Sequence, residues 1–135
     1  MSNVALRRWL IVVAALRLLS VYLGLFDVAK FREYLFDLKP ELVTDLYGRT
    51  FATWTFLTCA LSIICSRSPE NPAIYGATLV SFVIALLHFG TELLLFKTIS
   101  LQKALSPMIV AGLSTLWMGA GWNYYTQQPQ RIKDD

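Results

Sequence analysis

Apolar residues gather in four blocks, about residues 6–26, 49–66, 73–97 and 105–125. Each approaches the roughly 20 residues a helix needs to cross a hydrocarbon layer. Residues 27–48 differ in character. Val28, Phe31, Leu35 and Leu38 recur at helical spacing, and Lys30, Arg32, Glu33, Asp37 and Lys39 fill other positions. That pattern predicts an amphipathic helix lying at a membrane surface. Pro40 suits the first turn of a second short helix, with Leu42, Val43, Leu46 and Tyr47 on one side. In the connection 66–72, Asn71 reads as an N-cap and Pro72 as a first helical residue, so blocks two and three form an antiparallel hairpin. Pro107 reads as the opening of the fourth block, after a short connection. Ala111, Thr115 and Gly119 recur there every four residues, a spacing that lets helix backbones approach. Trp122, Tyr124 and Tyr125 read as an interfacial aromatic belt, followed by a polar tail over 126–135. The prediction is an all-α membrane protein with a single membrane domain, 1–135. It is a four-transmembrane-helix bundle with an amphipathic interfacial segment between helices 1 and 2.

Composition agrees. The chain is 56% hydrophobic and 16% charged, with a mean hydropathy of +0.51, which is too apolar for an ordinary soluble domain of this length. The first block is not read as a signal peptide: Arg17 interrupts its centre, and no small-x-small cleavage site follows. Arg17 must then snorkel or find a partner near mid-depth. The net charge of +3 comes without a basic run or interleaved aromatics, which excludes a nucleic-acid binder by pattern. Cys59 and Cys65 belong to no CxxC pair and read as small core residues. Lys and Arg divide five against six between the two ends of a four-span topology, so they set no orientation.

The chemistry available is narrow. His88 is the only histidine, and it stands four residues before Glu92, on the same helical face. A zinc site needs three or four ligands, and these are two. Ser81 and Ser114 lack a nucleophile elbow, and no dinucleotide or P-loop glycine pattern exists. No catalytic residue, cofactor or metal site is therefore expected. Depth in the hairpin brings Glu92 opposite Arg49. That suggests a Glu92–Arg49 ion pair, with His88 bonded to a hydroxyl such as Thr55. Arg17 has no acid at its own depth, which makes it the best residue for an intermolecular bond.

Three motifs in order resemble the ergosterol biosynthetic protein 28 family: Arg49-Thr-Phe-x-x-Trp54-Thr, His88-Phe-x-x-Glu92-Leu and Ser106-Pro-Met-Ile-Val-Ala. The start Arg7-Arg8-Trp9-Leu10 fits as well. The resemblance implies a small, non-catalytic endoplasmic-reticulum membrane scaffold in sterol biosynthesis. Its implied partners are the C4-methyl sterol oxidase, the sterol C4-carboxylate 3-dehydrogenase and the 3-ketosteroid reductase, with the sterol C24-methyltransferase of fungi as a further associate. Arg17, Arg49, Trp54, His88 and Glu92 are then candidates for helix packing or partner contact. Arg131 and Lys133 resemble a dibasic retrieval signal, which places the termini in the cytosol. The rival reading is a small sterol- or lipid-binding or transport protein using a polar stripe with His88 and Glu92.

Overall fold

The computed structural model describes residues 3–127. Four long helices carry the fold: α1 (Asn3–Phe26), α3 (Asp45–Arg67), α4 (Pro72–Leu94) and α5 (Leu101–Ala120). Two short ones, α2 (Val28–Tyr34) and α6 (Trp122–Thr126), and a 3₁₀ turn at Pro40–Leu42 complete it. No strand occurs among the described residues. By length and apolarity alone, α1 and α4 could each cross a membrane. Arg131 and Lys133 lie outside the described residues.

Capping explains where the helices start. Asp27, Thr44 and Ser100 each accept a hydrogen bond from the backbone N–H three residues on, which satisfies one of the helix's free donors. Asn71 accepts from Ala73 and Ile74, with Pro72 at the first helical position, as its spacing indicated. Pro107 does not open a helix. Ser100 does, and Pro107 sits inside α5. The helix then breaks at Gly121, so Trp122, Tyr124 and Tyr125 belong to the separate turn α6.

The closest packing is between α1 and α3, which run antiparallel. Position 3.5-fold spacing explains it: Gly48, Ala52, Thr55, Cys59, Ser62 and Ser66 are all small and all buried. Steps of four and three keep one narrow stripe facing a partner helix. A Cβ on Gly24 would lie 2.5 Å from the Gly48 carbonyl oxygen and 3.0 Å from Ala52 Cβ, so the backbones meet there with no room for a methyl. Further along, the Cys59 thiol donates to the Ala14 carbonyl at 3.5 Å. The α5 stripe has a different role: a Cβ on Gly119 would touch nothing within 4 Å.

The second pair, α4 and α5, is tied by Tyr75, whose hydroxyl donates to the Met118 carbonyl at 2.6 Å. The Trp9 indole donates to Ser114 Oγ at 2.9 Å and joins α1 to α5. Two apolar cores result. One, near the α3–α4 turn, gathers Leu6, Leu10, Val13, Tyr75, Phe82, Met118 and Tyr125. The other, at the opposite end, gathers Phe31, Leu35, Phe36, Val43, Phe51, Phe89 and Ile99.

Residues 27–48 supply much of that second core. Phe31, Leu35, Phe36 and Val43 are buried, whereas Leu38, Leu42 and Leu46 are exposed. Leu46 and Tyr47 also belong to α3 itself rather than to a separate short helix. The segment is latched to the α4–α5 connection. The Ser100 N–H donates to Asp37 Oδ1 at 2.9 Å, and the Leu38 N–H donates to the Thr98 carbonyl at 3.2 Å. Lys97 takes a positive φ of 54° in that turn. Arg32 braces the other side, donating to the Val43 carbonyl and pairing with Asp45 at 3.4 Å. Partial burial pushes the Asp37 carboxyl up. The bonds from Ser100, its own backbone N–H and the Lys103 charge outweigh that and hold it below the usual carboxylate range.

Two outcomes follow from this packing. Gly24→Ala is expected to destabilise the protein by ~1–3 kcal/mol, because the added methyl meets backbone rather than a flexible side chain. Gly119→Ala is expected to be neutral or to stabilise by up to ~1 kcal/mol through helix propensity. Thermal melts in one detergent compare them. For the latch, a depressed folded-state value means its contribution is complete above the ordinary carboxylate range and is lost as pH falls through and below it. Asp37→Asn should therefore speed hydrogen exchange over residues 96–104 severalfold at neutral pH, and the difference from wild type should close below pH ~4.

Candidate functional site

A cavity of about 290 Å³ lies between the α1–α3 pair and the α4–α5 pair. Its walls include Phe51, Trp54, Ala85, Phe89 and Val110, and its polar groups include Arg17, Ser20, Thr55 and Thr58. Arg17 is carried there by the middle of α1, between the exposed Leu16 and Leu19 that also border the cavity. Its guanidinium carbon stands 4.9 Å from the centroid of the Phe82 ring, a cation–π contact. Phe82 belongs to one apolar core, and Phe51, Ala85 and Phe89 belong to the other. The cation thus sits at the junction of the two. Its Nη1 is buried and makes no hydrogen bond among the described residues. The Thr55 hydroxyl, on a residue only 5% exposed, is likewise without a partner there. Thr58 differs: its hydroxyl bonds back to the Thr55 carbonyl at 2.7 Å.

The other residues marked by sequence separate. Trp54 joins Arg17 on the cavity wall. His88 stands behind Trp54, its ring 5.9 Å from the indole, 6.4 Å from Phe51 and 5.2 Å from Phe89, and its buried Nε2 makes no hydrogen bond among the described residues. His88 therefore does not bond Thr55, which faces the cavity instead. Glu92 accepts a hydrogen bond from the Thr98 hydroxyl and lines a smaller pocket of about 170 Å³ with Lys39, Tyr47 and Thr98. Arg49 is exposed, and it forms none of the ion pairs found among the described residues. The expected Glu92–Arg49 pair is thus not made. The two do lie at the same end of the hairpin. But Gly48 must face α1, and one residue further turns Arg49 about 100° around α3, out of the bundle.

Two features escaped sequence reading. The small stripe on α3 repeats at steps of four and three, and the reading of Cys59 as a small core residue touched it at one position only. The cavity's polar lining needs rotation about each helix axis, which spacing within one helix does not supply. Among the described residues no three His, Cys, Asp or Glu side chains gather as a metal site would require.

Comparison with known proteins gives a consistent result. The family model described as Erg28 like protein matches residues 6–116. The chain is 38% identical to ergosterol biosynthetic protein 28 of Arabidopsis thaliana, over 95% of this chain and 98% of that protein. It is 31% identical to ergosterol biosynthetic protein 28 of Saccharomyces cerevisiae, over 90% and 82%. It is 34% identical to the human ergosterol biosynthetic protein 28 homolog, over 92% and 89%. No solved structure matches.

The placement of Glu92 generates a test. In a double-mutant cycle, Glu92→Gln and Arg49→Met are expected to add within ~0.5 kcal/mol, whereas Glu92→Gln and Thr98→Val should couple by ~0.5–3 kcal/mol. Melting temperatures of the six proteins decide it, and coupling between Glu92 and Arg49 would restore the pairing expected from depth.

Proposed function

The chain belongs to the family of Erg28 like proteins, and we propose that it serves sterol biosynthesis there as a non-catalytic membrane scaffold. In this reading all four long helices cross the endoplasmic-reticulum membrane, residues 27–48 lie at one interface, and the termini face the cytosol. The scaffold tethers the C4-methyl sterol oxidase, the sterol C4-carboxylate 3-dehydrogenase and the 3-ketosteroid reductase, with the sterol C24-methyltransferase as a further associate. Holding successive enzymes together raises their effective concentration, so that a poorly soluble intermediate moves locally.

The observation that carries this reading is the outer surface. Every long helix presents large apolar side chains outward: Ile11, Leu18 and Tyr22 on α1, Phe56 and Leu57 on α3, Val80, Ile84 and Leu87 on α4, and Ile109, Leu113 and Leu116 on α5. A belt of that extent is costly in water and suited to lipid and to other membrane helices. Two of the helices pass a length-and-apolarity test for spanning. The other two carry the same exposed apolar stripe and are antiparallel partners of the first pair. The surroundings of His88 support a structural role: the rings of Phe51, Trp54 and Phe89 pack about it. Of the two cavities described, Glu92 borders the smaller and His88 borders neither.

Affinity purification in mild detergent tests the scaffold. The C4-demethylation enzymes are expected to be recovered together with this chain, and their mutual recovery to fall severalfold in cells lacking it. Recovery of the enzymes as an intact assembly without this chain would remove the tethering role.

A further inference from the structure

The cavity between the helix pairs has features that packing does not use. Its inner end presents two donors with no acceptor, Arg17 Nη1 and the Thr55 hydroxyl. Seven of the nine acidic residues are described, and they lie at helix ends and connections, none of them pairing with Arg17. Burying a guanidinium without an anion is expensive, and a single π-face contact offsets only part of the cost. From Phe51 to Thr58 the wall runs seven residues of α3, a length of about 10 Å at helical rise. Much of that length is apolar, through Phe51, Ala85 and Phe89. The rim is formed by the exposed Leu16 and Leu19 of α1, Tyr34 after α2's first turns, and Gln102, Lys103 and Ser106 of α5. Exposed rim residues come from α1 on one side and the first turns of α5 on the other, so the opening falls between these two helices.

From this geometry we propose that the cavity binds one amphipathic lipid through an anionic group, a carboxylate or a phosphate. The anion accepts hydrogen bonds from Arg17 and Thr55. The hydrocarbon body lies along Phe51, Ala85 and Phe89 and leaves by the opening between α1 and α5. Charge complementarity selects the ligand class: two unpaired donors, one of them cationic, in a pocket with no acid on its wall. A neutral amphipath of the same shape leaves the guanidinium unneutralised and binds more weakly. The inference does not depend on tethering, since it concerns what the isolated chain holds.

The test uses the full chain in phosphatidylcholine nanodiscs, with radiolabelled oleate and methyl oleate as probes. The acid is expected to bind about tenfold or more tightly than the ester, a preference of about 1.4 kcal/mol. Arg17→Met should abolish that preference and Arg17→Lys should keep part of it, because an ammonium neutralises the anion without the planar fork. Thr55→Val should weaken oleate binding severalfold at unchanged melting temperature, since the native hydroxyl has no hydrogen bond in the protein to lose. This variant keeps the proposal falsifiable where Arg17→Met fails to fold. Phosphatidylserine doped into the disc separates the sources: competition identifies a membrane-lipid headgroup as the anion, and lack of competition identifies a free acid. Equal binding of acid and ester overturns the proposal, as does absence of acid binding. Protection of Arg17 from phenylglyoxal only when a partner protein co-purifies assigns the cation to a partner's carboxylate and also overturns it.

Discussion

The close crossing of α1 and α3 is the constraint from which the rest of the arrangement follows. In the membrane setting proposed above, hydrophobic burial between helices supplies little attraction, and contact must come from backbones that approach and from interhelical polar bonds. Gly24 and Gly48 allow that approach, and the run of small side chains up α3 prolongs it past Ala14 and Cys59. Because this face of α3 spends its positions on small residues, its large ones point elsewhere. Phe56 and Leu57 go outward, and Phe51 and Trp54 go toward the second pair. The second pair then meets α1 and α3 across bulky aromatic contacts at either end, and the middle stays open around Arg17.

That division gives the molecule two apolar cores of different origin. The core near the α3–α4 turn is made by the long helices and the turn α6, with Tyr75 and Tyr125 stacked at 5.9 Å between ring centres. The opposite core borrows Phe31, Phe36 and Val43 from the connection between α1 and α3. An amphipathic pattern alone suggested a segment lying on a lipid surface. Its aromatic rings also close the end of the bundle: Phe31 and Phe36 pack against Phe51 at 5.0 and 6.1 Å. Leu38, Leu42 and Leu46 remain exposed on the outer side of that segment.

The four long helices and the Asn71–Pro72 start were legible because capping and block length are local signals. Depth was legible too: Arg49 and Glu92 do lie at one end of their hairpin. Rotation was not. Whether Arg49 faces inward depends on Gly48 having to meet Gly24, a contact between residues 24 positions apart on different helices. The misreading of Pro107 has a similar cause. Ser100 and Ser106 each precede a plausible first turn, and the proline favours the second. What decides for Ser100 is the burial of Ala104 in the core and the bond from Ser100 to Asp37, both set by tertiary contact. The aromatic setting of His88 was hidden for the same reason, since Trp54 comes to it from another helix.

Pro107 in the interior of α5 has a mechanical consequence. A proline brings no N–H to the carbonyl four residues earlier, which here is that of Lys103, and its ring crowds the same turn. Both residues border the opening beside α1. The one missing rung of α5 thus falls at the height where the two helix pairs stand apart, and bending of a helix concentrates at such a rung. Neither α1 nor α3 carries an interior proline, so of the helices that border the opening α5 is the one whose backbone ladder is interrupted there.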